Sequence, residues 1–204
     1  IVMSVDKPLE KIYTDKIEGV VPNYYEVLVY DTVTDELVSS NIVGEKGGSL
    51  SIFPGSYHLV IYSFGTESTQ MKDLHNRTKA NAFTTDITSS KGEIIKSKTN
   101  EPAREPVSKG YEDDPIINEP DHLYTSNEMD VTIDAFIGGE QTVTIRTTVS
   151  TILDVYSLEV LNIKGAENIE KVDAFVTGQI LSNYFGRPER DSSPATVYVD
   201  MSVD

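Results

Sequence analysis

The chain has 204 residues, a formal net charge of −16 and no cysteine. The negative charge argues against a nucleic-acid or anionic-membrane partner held by electrostatics, because phosphate binding needs clustered lysine and arginine. The absence of thiols excludes a disulfide scaffold, a thiolate zinc site and a cysteine nucleophile.

The first part of the chain is predicted to consist of short strands, at residues 1–6, 20–32 and 37–43. The run 24–30 is rich in β-branched and aromatic residues and has no helical period, which is typical of a strand. The glycines at 47 and 48 indicate a turn before the next stretch.

Residues 49–63 are predicted to form a strand, a tight turn and a second strand, and the fold is expected to be organised around them. Pro54 and Gly55 supply the turn, since proline presets φ and glycine accepts the positive φ of a type II turn. One face of the second strand carries Tyr57, Leu59 and Ile61, the other carries His58, Val60 and Tyr62, and both faces are largely apolar. That strand is therefore predicted to be central and covered on both sides.

The pattern becomes polar after residue 65, with a short helix predicted at 71–80 and strands at 82–88 and 93–96. Residues 100–121 carry four prolines and more acidic than basic side chains, which is typical of a connection. This connection sets the predicted domain boundary. The first domain is residues 1–120 and the second is residues 121–204.

The second half alternates more regularly. Residues 129–137 and 143–149 are predicted to form a hairpin with one solvent-exposed face. Further strands are predicted at 156–164, 172–181 and 196–203. Short strands separated by turn residues indicate an all-β fold of two antiparallel β-sandwich domains.

The second domain has about five predicted strands, fewer than the roughly seven of a usual sandwich. We therefore expect the sheet that holds the last strand to be incomplete and to accept a strand at an open edge. The alternative is that residues 1–6 fold back and close this sheet. The candidate strand-exchange residues are Thr196, Val197, Tyr198, Val199, Asp200, Met201, Ser202 and Val203.

No catalytic residue, metal site or cofactor site is predicted. His58, His75 and His122 fall in separate predicted elements, which favours surface or interfacial positions over a zinc site or a triad. The acidic run 112–114 lacks the spacing of a calcium loop and favours a solvated linker. The sequence has no nucleophile elbow, Walker motif or dinucleotide-binding glycine pattern.

Four pieces of the sequence, taken in order, resemble one family. The strand 24–31 is followed by Pro54, Gly55 and Tyr57 at the start of an apolar strand, as in the hairpin of transthyretin-like modules. Residues 119–124 and the strand 142–146 complete the order. Together, from about residue 22 to 181, they resemble the fimbrillin-A-associated anchor family, the anchor and minor-subunit lipoproteins of type V fimbriae.

The resemblance implies two transthyretin-like β-sandwich domains, no catalytic residues and a place on the outer membrane at the cell surface. It implies that the protein anchors or caps a fimbria and so supports adhesion. The implied partners are fimbrial stalk subunits, joined by strand addition, and the outer membrane, reached through an N-terminal lipid. The family's lipid-bearing cysteine is absent from this sequence, so lipid attachment would depend on a segment outside it.

The leading hypothesis is therefore a non-enzymatic fimbrial anchor or accessory subunit, and the alternative is a glycan-binding outer-membrane lipoprotein. The chain has eleven tyrosines and no tryptophan, and tyrosines can form a stacking platform for sugars. Most of them lie in predicted strands, which favours packing within the sheets. A hydrolase is the least favoured hypothesis.

Overall fold

A computed structural model describes the protein at residues 11–12, 22–63, 68–87, 113–126, 129–135, 138, 142–156, 165–169, 172–187 and 189–201. These residues contain one short 3-10 helix, Ala166–Asn168, and none of their helices is long and apolar enough to cross a membrane. The strands within them are β1 (Lys11–Ile12), β2 (Tyr24–Asp31), β3 (Leu37–Gly44), β4 (Gly55–Ser63), β5 (Thr69–Lys72), β6 (Asn81–Thr84), β7 (Ile116–Asn118), β8 (Tyr124–Ser126), β9 (Met129–Ile133), β10 (Val149–Thr151), β11 (Val155–Tyr156), β12 (Val172–Ile180), β13 (Ser182–Tyr184) and β14 (Pro194–Met201).

The first sheet is built around β4. One edge of β4 pairs antiparallel with β2 over seven residues, and β3 lies on the far side of β2. The other edge of β4 is shared by β9, which pairs with its first half, and β8, which pairs near its end. β10 extends the sheet beyond β8.

A second layer is formed by two three-stranded groups. In one group β6 lies between β5 and β13, and in the other β14 lies between β12 and β7. The groups are joined because β12 and β13 are separated only by Leu181 and because the chain after β6 pairs with β7, through Asp86↔Ile117. The β7–β14 pair is parallel, and the other strand pairs in this layer are antiparallel.

β2 and β4 bury side chains on both of their faces. One face packs against the second layer in a cluster that contains Leu28, Tyr30, Val60, Tyr62, Ala80, Ala82, Leu123 and Phe185. The opposite face forms a second cluster of Val27, Val29, Tyr57 and Leu59, against which Leu50 and Ile52 pack. The predicted all-β, antiparallel sandwich class and the predicted central strand covered on both sides are both confirmed.

The predicted hairpin around Pro54 and Gly55 is wrong in its first arm. Residues 48–53 form no strand, and Leu50 and Ile52 instead cover the second apolar cluster. Alternating apolar residues satisfy this covering role as well as they satisfy a strand, so the pattern alone could not separate the two.

Two other predicted elements are also wrong. Residues 142–148 form no strand, and Val143 and Ile145 are 47% and 41% exposed. β9 therefore pairs with β4 rather than with this segment, although its alternate residues are exposed as predicted. The helix predicted at 71–80 is replaced by the end of β5 and a series of turns.

Strand pairs cross the predicted domain boundary at residue 120. β8 and β9 pair with β4, β13 pairs with β6, and β14 pairs with β7. β7 itself lies inside the stretch predicted to be a polar connection. The division into residues 1–120 and 121–204 is therefore not a division between separate sheets. The predicted strands at 1–6 and 93–96 lie outside the described residues.

Asp121 fastens the start of β5 to the segment that enters β8. Its Oδ2 accepts hydrogen bonds from the backbone N–H groups of Ser68 and Thr69, both at 2.6 Å, and from the Ser68 hydroxyl at 2.9 Å. Its own N–H donates to the Thr69 hydroxyl at 2.9 Å. Burial opposes ionisation of this carboxyl, but the hydrogen bonds to the carboxylate outweigh burial and lower its pKa.

We predict that Asp121→Ala lowers the free energy of unfolding at pH 7 by about 1–3 kcal/mol, because two backbone N–H groups lose their acceptor. A lowered pKa in the folded state means that this contribution is present above the unfolded pKa of about 3.9 and is lost as the pH falls through the folded pKa. Urea unfolding from pH 7 to pH 3 should show the gap between wild type and variant closing as the solution becomes acidic. The exposed Asp113→Ala is the control, and an equal loss in both variants would contradict the role of Asp121.

Candidate functional site

Of the structural residues predicted at the start of β4, Gly55 and Tyr57 lie against each other, but the glycine acts differently from the prediction. Gly55 does not have a positive φ. A Cβ at this position would lie 2.7 Å from the Tyr57 hydroxyl oxygen, so glycine is needed because the Tyr57 ring packs against the backbone. The Tyr57 hydroxyl donates to the Phe53 carbonyl at 2.9 Å, and the side chain is buried in the second apolar cluster.

The predicted open edge at the last strand is not found at the first three of its residues. Thr196, Val197 and Tyr198 pair with β7 on one side, and β12 pairs with β14 along its other side. The short strand β7 was hidden from sequence reasoning by the proline-rich composition around it. The register with β7 ends at Tyr198, and Val199, Asp200 and Met201 pair with β12, so an open edge beyond residue 198 stays a prediction. Ser202 and Val203 lie outside the described residues.

The first sheet has its own edge at β3. This strand of eight residues, LVSSNIVG, contains no charged side chain, and Val38 and Ile42 are 49% and 51% exposed. In the described part of the chain β3 is met at both ends, where the Leu37 N–H donates to the His75 carbonyl and the Gly44 carbonyl accepts from the Gly47 N–H, both at 2.9 Å. Between these ends the Asn41 side chain donates to the Ser49 carbonyl at 2.9 Å. Edge strands are commonly protected by charge or proline, and β3 has neither.

The three histidines remain in separate elements. His58 on β4 lies 2.5 Å, Nδ1 to Oδ1, from Asp130 on β9. His75 lies in the loop after β5, and His122 precedes β8. Among the described residues, no three His, Asp or Glu side chains come together as a metal site would require. Of the acidic run, Asp113 is exposed and Glu112 lies outside the described residues.

The loop that joins β5 to β6 is held by contacts from two sides. Arg77 donates through Nε to Asp35 Oδ1 at 2.5 Å and through Nη1 to the Gly186 carbonyl at 2.8 Å. The Tyr30 hydroxyl donates to the Leu74 carbonyl at 3.0 Å, and burial raises the pKa of this phenol well above its usual value. These hydrogen bonds hold the loop in a defined position against the neighbouring elements.

A row of three side chains lies beside this loop on the outer face of the second layer. Lys72, Asn81 and Tyr184 face one another directly across β5, β6 and β13. Residues that lie opposite each other on antiparallel strands share a face of the sheet. The adjacent row, which includes Met71 and Ala82, faces the core. The row therefore points away from the core.

A groove of about 390 Å³ is lined by this row and by Asp73, Thr78, Lys79 and Arg187. Its volume lies within the roughly 300–1,000 Å³ of small-molecule sites. Three cations and one carboxylate line it, in a chain whose net charge is −16. The groove is therefore a local exception to the charge of the protein.

Two aromatic side chains near the groove, Tyr184 and Phe83, each contact a cationic side chain. The guanidinium carbon of Arg187 lies 3.7 Å from the ring centroid of Tyr184, and Lys72 Nζ lies 4.9 Å from that of Phe83. Phe83 belongs to the next row on the same face, where it is opposed by Ser182. The Ser182 hydroxyl donates to Asp191 at 2.6 Å, and this hydrogen bond lowers the pKa of the Asp191 carboxyl.

Sequence reasoning did not find the groove. Its residues come from positions 72–81 and 184–187 and are brought together only by strand register. No spacing motif joins them. The prediction that most tyrosines serve packing is confirmed for Tyr30, Tyr57 and Tyr62, which are buried.

Comparison with known families gives one match over most of the chain. The profile of a domain of unknown function, DUF5119, matches residues 15–200. The chain belongs to this family. The fimbrillin-A-associated family suggested by the sequence motifs is not the one matched, so that closer assignment remains a prediction. No protein of curated function matches the sequence.

Two crystal structures resemble this DUF5119 chain in fold. A candidate adhesin from Bacteroides ovatus has a TM-score of 0.54 at 18% identity, over 94% of this chain and 62% of its own. A second candidate adhesin from the same species has a TM-score of 0.50 at 12% identity, over 86% and 54%. The DUF5119 chain thus spans less than two thirds of each, and at these identities the likeness concerns the fold alone.

A third structure, of candidate polysaccharide-binding proteins from Bacteroides thetaiotaomicron, has a TM-score of 0.37 at 12% identity, over 57% of this chain and 36% of its own. A similarity of this size supports no argument about the DUF5119 chain.

We predict that Gly186→Ala lowers the free energy of unfolding by about 1–3 kcal/mol, as overpacking does. A Cβ at Gly186 would lie 2.2 Å from the Arg77 carbonyl oxygen, and backbone cannot rotate away as a side chain can. Gly44→Ala is the matched control, because a Cβ there meets nothing within 4 Å. Equal urea midpoints for the two variants would show that the close approach of the Arg77 carbonyl to Gly186 does not require glycine.

Proposed function

We propose that this protein is a non-enzymatic cell-surface protein that supports adhesion as an anchor or accessory subunit of a fimbria. The fold shared with two candidate adhesins supports an adhesion role. The order of sequence motifs supports the fimbrial part of the proposal. Attachment to the outer membrane would use a lipid-bearing segment outside the given sequence.

The observation that carries the assembly part of the proposal is the uncharged edge of β3. An incoming strand from a fimbrial stalk subunit would satisfy the backbone N–H and C=O groups along this edge. Val38 and Ile42, each about half exposed, would pack against alternate side chains of that strand. β3 is proposed instead of the last strand because the first residues of the last strand are paired on both sides.

A second candidate function is the binding of a surface glycan. The groove beside Asn81 favours it, because polar side chains, cations and an aromatic ring converge there.

Complementation of a gene deletion tests the fimbrial proposal. We expect deletion to reduce fimbriae and adhesion, and wild-type protein to restore both. The double variant Val38→Lys with Ile42→Lys should fail to restore them, because lysines on an edge strand oppose strand pairing. Fimbriae would be counted by electron microscopy and adhesion measured on the same cells.

The control double variant is Val33→Lys with Val143→Lys, which adds the same charge at exposed positions outside the strands. It should restore fimbriae as wild type does. A deletion without effect on fimbriae would overturn the fimbrial role. Full restoration by the β3 variant, with surface levels equal to wild type, would overturn strand addition at β3. It would not overturn the fimbrial role.

A further inference from the structure

Asn81 places an unpaired acceptor in the wall of the groove. The residue is 4% exposed, and its Nδ2 donates to the Lys79 carbonyl at 3.0 Å. This hydrogen bond fixes the orientation of the amide, because the flipped amide would set two acceptors against each other. Oδ1 receives no hydrogen bond from any described residue. A buried acceptor in this state is unfavourable until a donor reaches it, and a ligand hydroxyl is such a donor.

Arg187 places an unpaired donor beside the same groove. Its Nε is buried and donates to no described residue, and the nearest carboxylate oxygen, of Glu189, is 4.0 Å away. That distance is too long for a hydrogen bond. Stacking on Tyr184 holds the guanidinium in place, so its planar fork is already ordered for a carboxylate.

The other residues that line the groove favour a ligand that has a negative charge and a sugar ring. Lys72 and Lys79 add two exposed ammonium groups, against the single carboxylate of Asp73. Tyr184 adds a half-buried aromatic ring, the kind of surface on which the C–H face of a sugar packs.

We propose that the groove binds an acidic sugar, a pyranose that carries both a carboxylate and free hydroxyls. The carboxylate pairs with Arg187 and the two lysines, and a hydroxyl donates to Asn81 Oδ1. This assignment rests on the glycan-binding candidate function and names its site and ligand class. Phosphate and sulfate match the cations but offer Asn81 few or no donors, and a neutral sugar leaves Arg187 without its acceptor.

Calorimetry on the whole chain tests the assignment with paired probes. One pair is a short galacturonic acid oligomer and its methyl ester, and the other is sialyllactose and lactose. The acidic member of at least one pair should bind about tenfold or more tightly than its neutral partner, as expected for a hydrogen bond to a charged group. The two pairs distinguish a uronic acid from a sialic acid. Inorganic phosphate serves as the plain-anion probe and should bind weakly.

Arg187→Gln should weaken binding of the acidic probe about tenfold or more, and Arg146→Gln should leave it unchanged. Both variants remove one positive charge, and Arg146 is exposed on a segment that does not line the groove. If Arg187→Gln lowers the melting temperature, Lys79→Gln at an exposed position replaces it.

Equal effects of the two arginine variants would overturn the site. Neutral sugars that bind as tightly as acidic ones, and lose affinity in Arg187→Gln, would overturn the acidic class while keeping the glycan function. Phosphate that binds as tightly as the acidic sugar would reduce the groove to a plain anion site. The absence of any sugar binding would overturn both the class and the glycan function, and none of these results bears on the fimbrial test at β3.

Discussion

The two-sided burial of β2 and β4 is the constraint on which the rest of the structure depends. Leu28 and Val60 point to one apolar cluster, and Val29 and Leu59 point to the other. A strand pair that is apolar on both faces must be covered on both sides, because exposure of either face would leave large apolar surface in water. The second layer covers one face, and the extended segment around Leu50 and Ile52 covers the other.

The same constraint explains why the two halves of the chain share sheets. β4 has one edge on β2, and its other edge needs partners for its backbone groups. β8 and β9 supply them from beyond residue 120, and Asp121 holds the entry to β8 against the start of β5. The proline-rich stretch around 100–121 resembles a linker in composition. It nevertheless contains β7, the strand that pairs with one edge of β14.

Sequence patterns predicted the strands with β-branched or aromatic runs or clear alternation, namely β2, β3, β4, β9, β12 and β14. They failed where alternation has another cause, as in the covering segment before Pro54 and the exposed segment around Val143. They also failed at the groove, because the register that opposes Lys72, Asn81 and Tyr184 depends on pairing between distant strands. The lack of charged side chains in β3 was visible in the sequence, but the position of this strand at the edge of the sheet was not.

The two proposed binding surfaces belong to different layers. The β3 edge is part of the first sheet, and the groove lies on the outer face of the second layer, beside a loop held by Arg77. A subunit that joins an assembly through one surface could therefore keep the other free. The charge of −16 should repel long polyanions at a distance, so we expect the groove to favour short or sparsely charged glycans.

Native-state hydrogen exchange is the most direct test of the central claim, that one shared pair of layers holds both halves of the chain. We expect amides of β4, β9 and β14 to reach the same limiting free energy of opening, because these strands lie in sheets built from both halves. A separate, lower-energy opening of the strands after residue 121, with β2 and β4 still protected, would contradict the account.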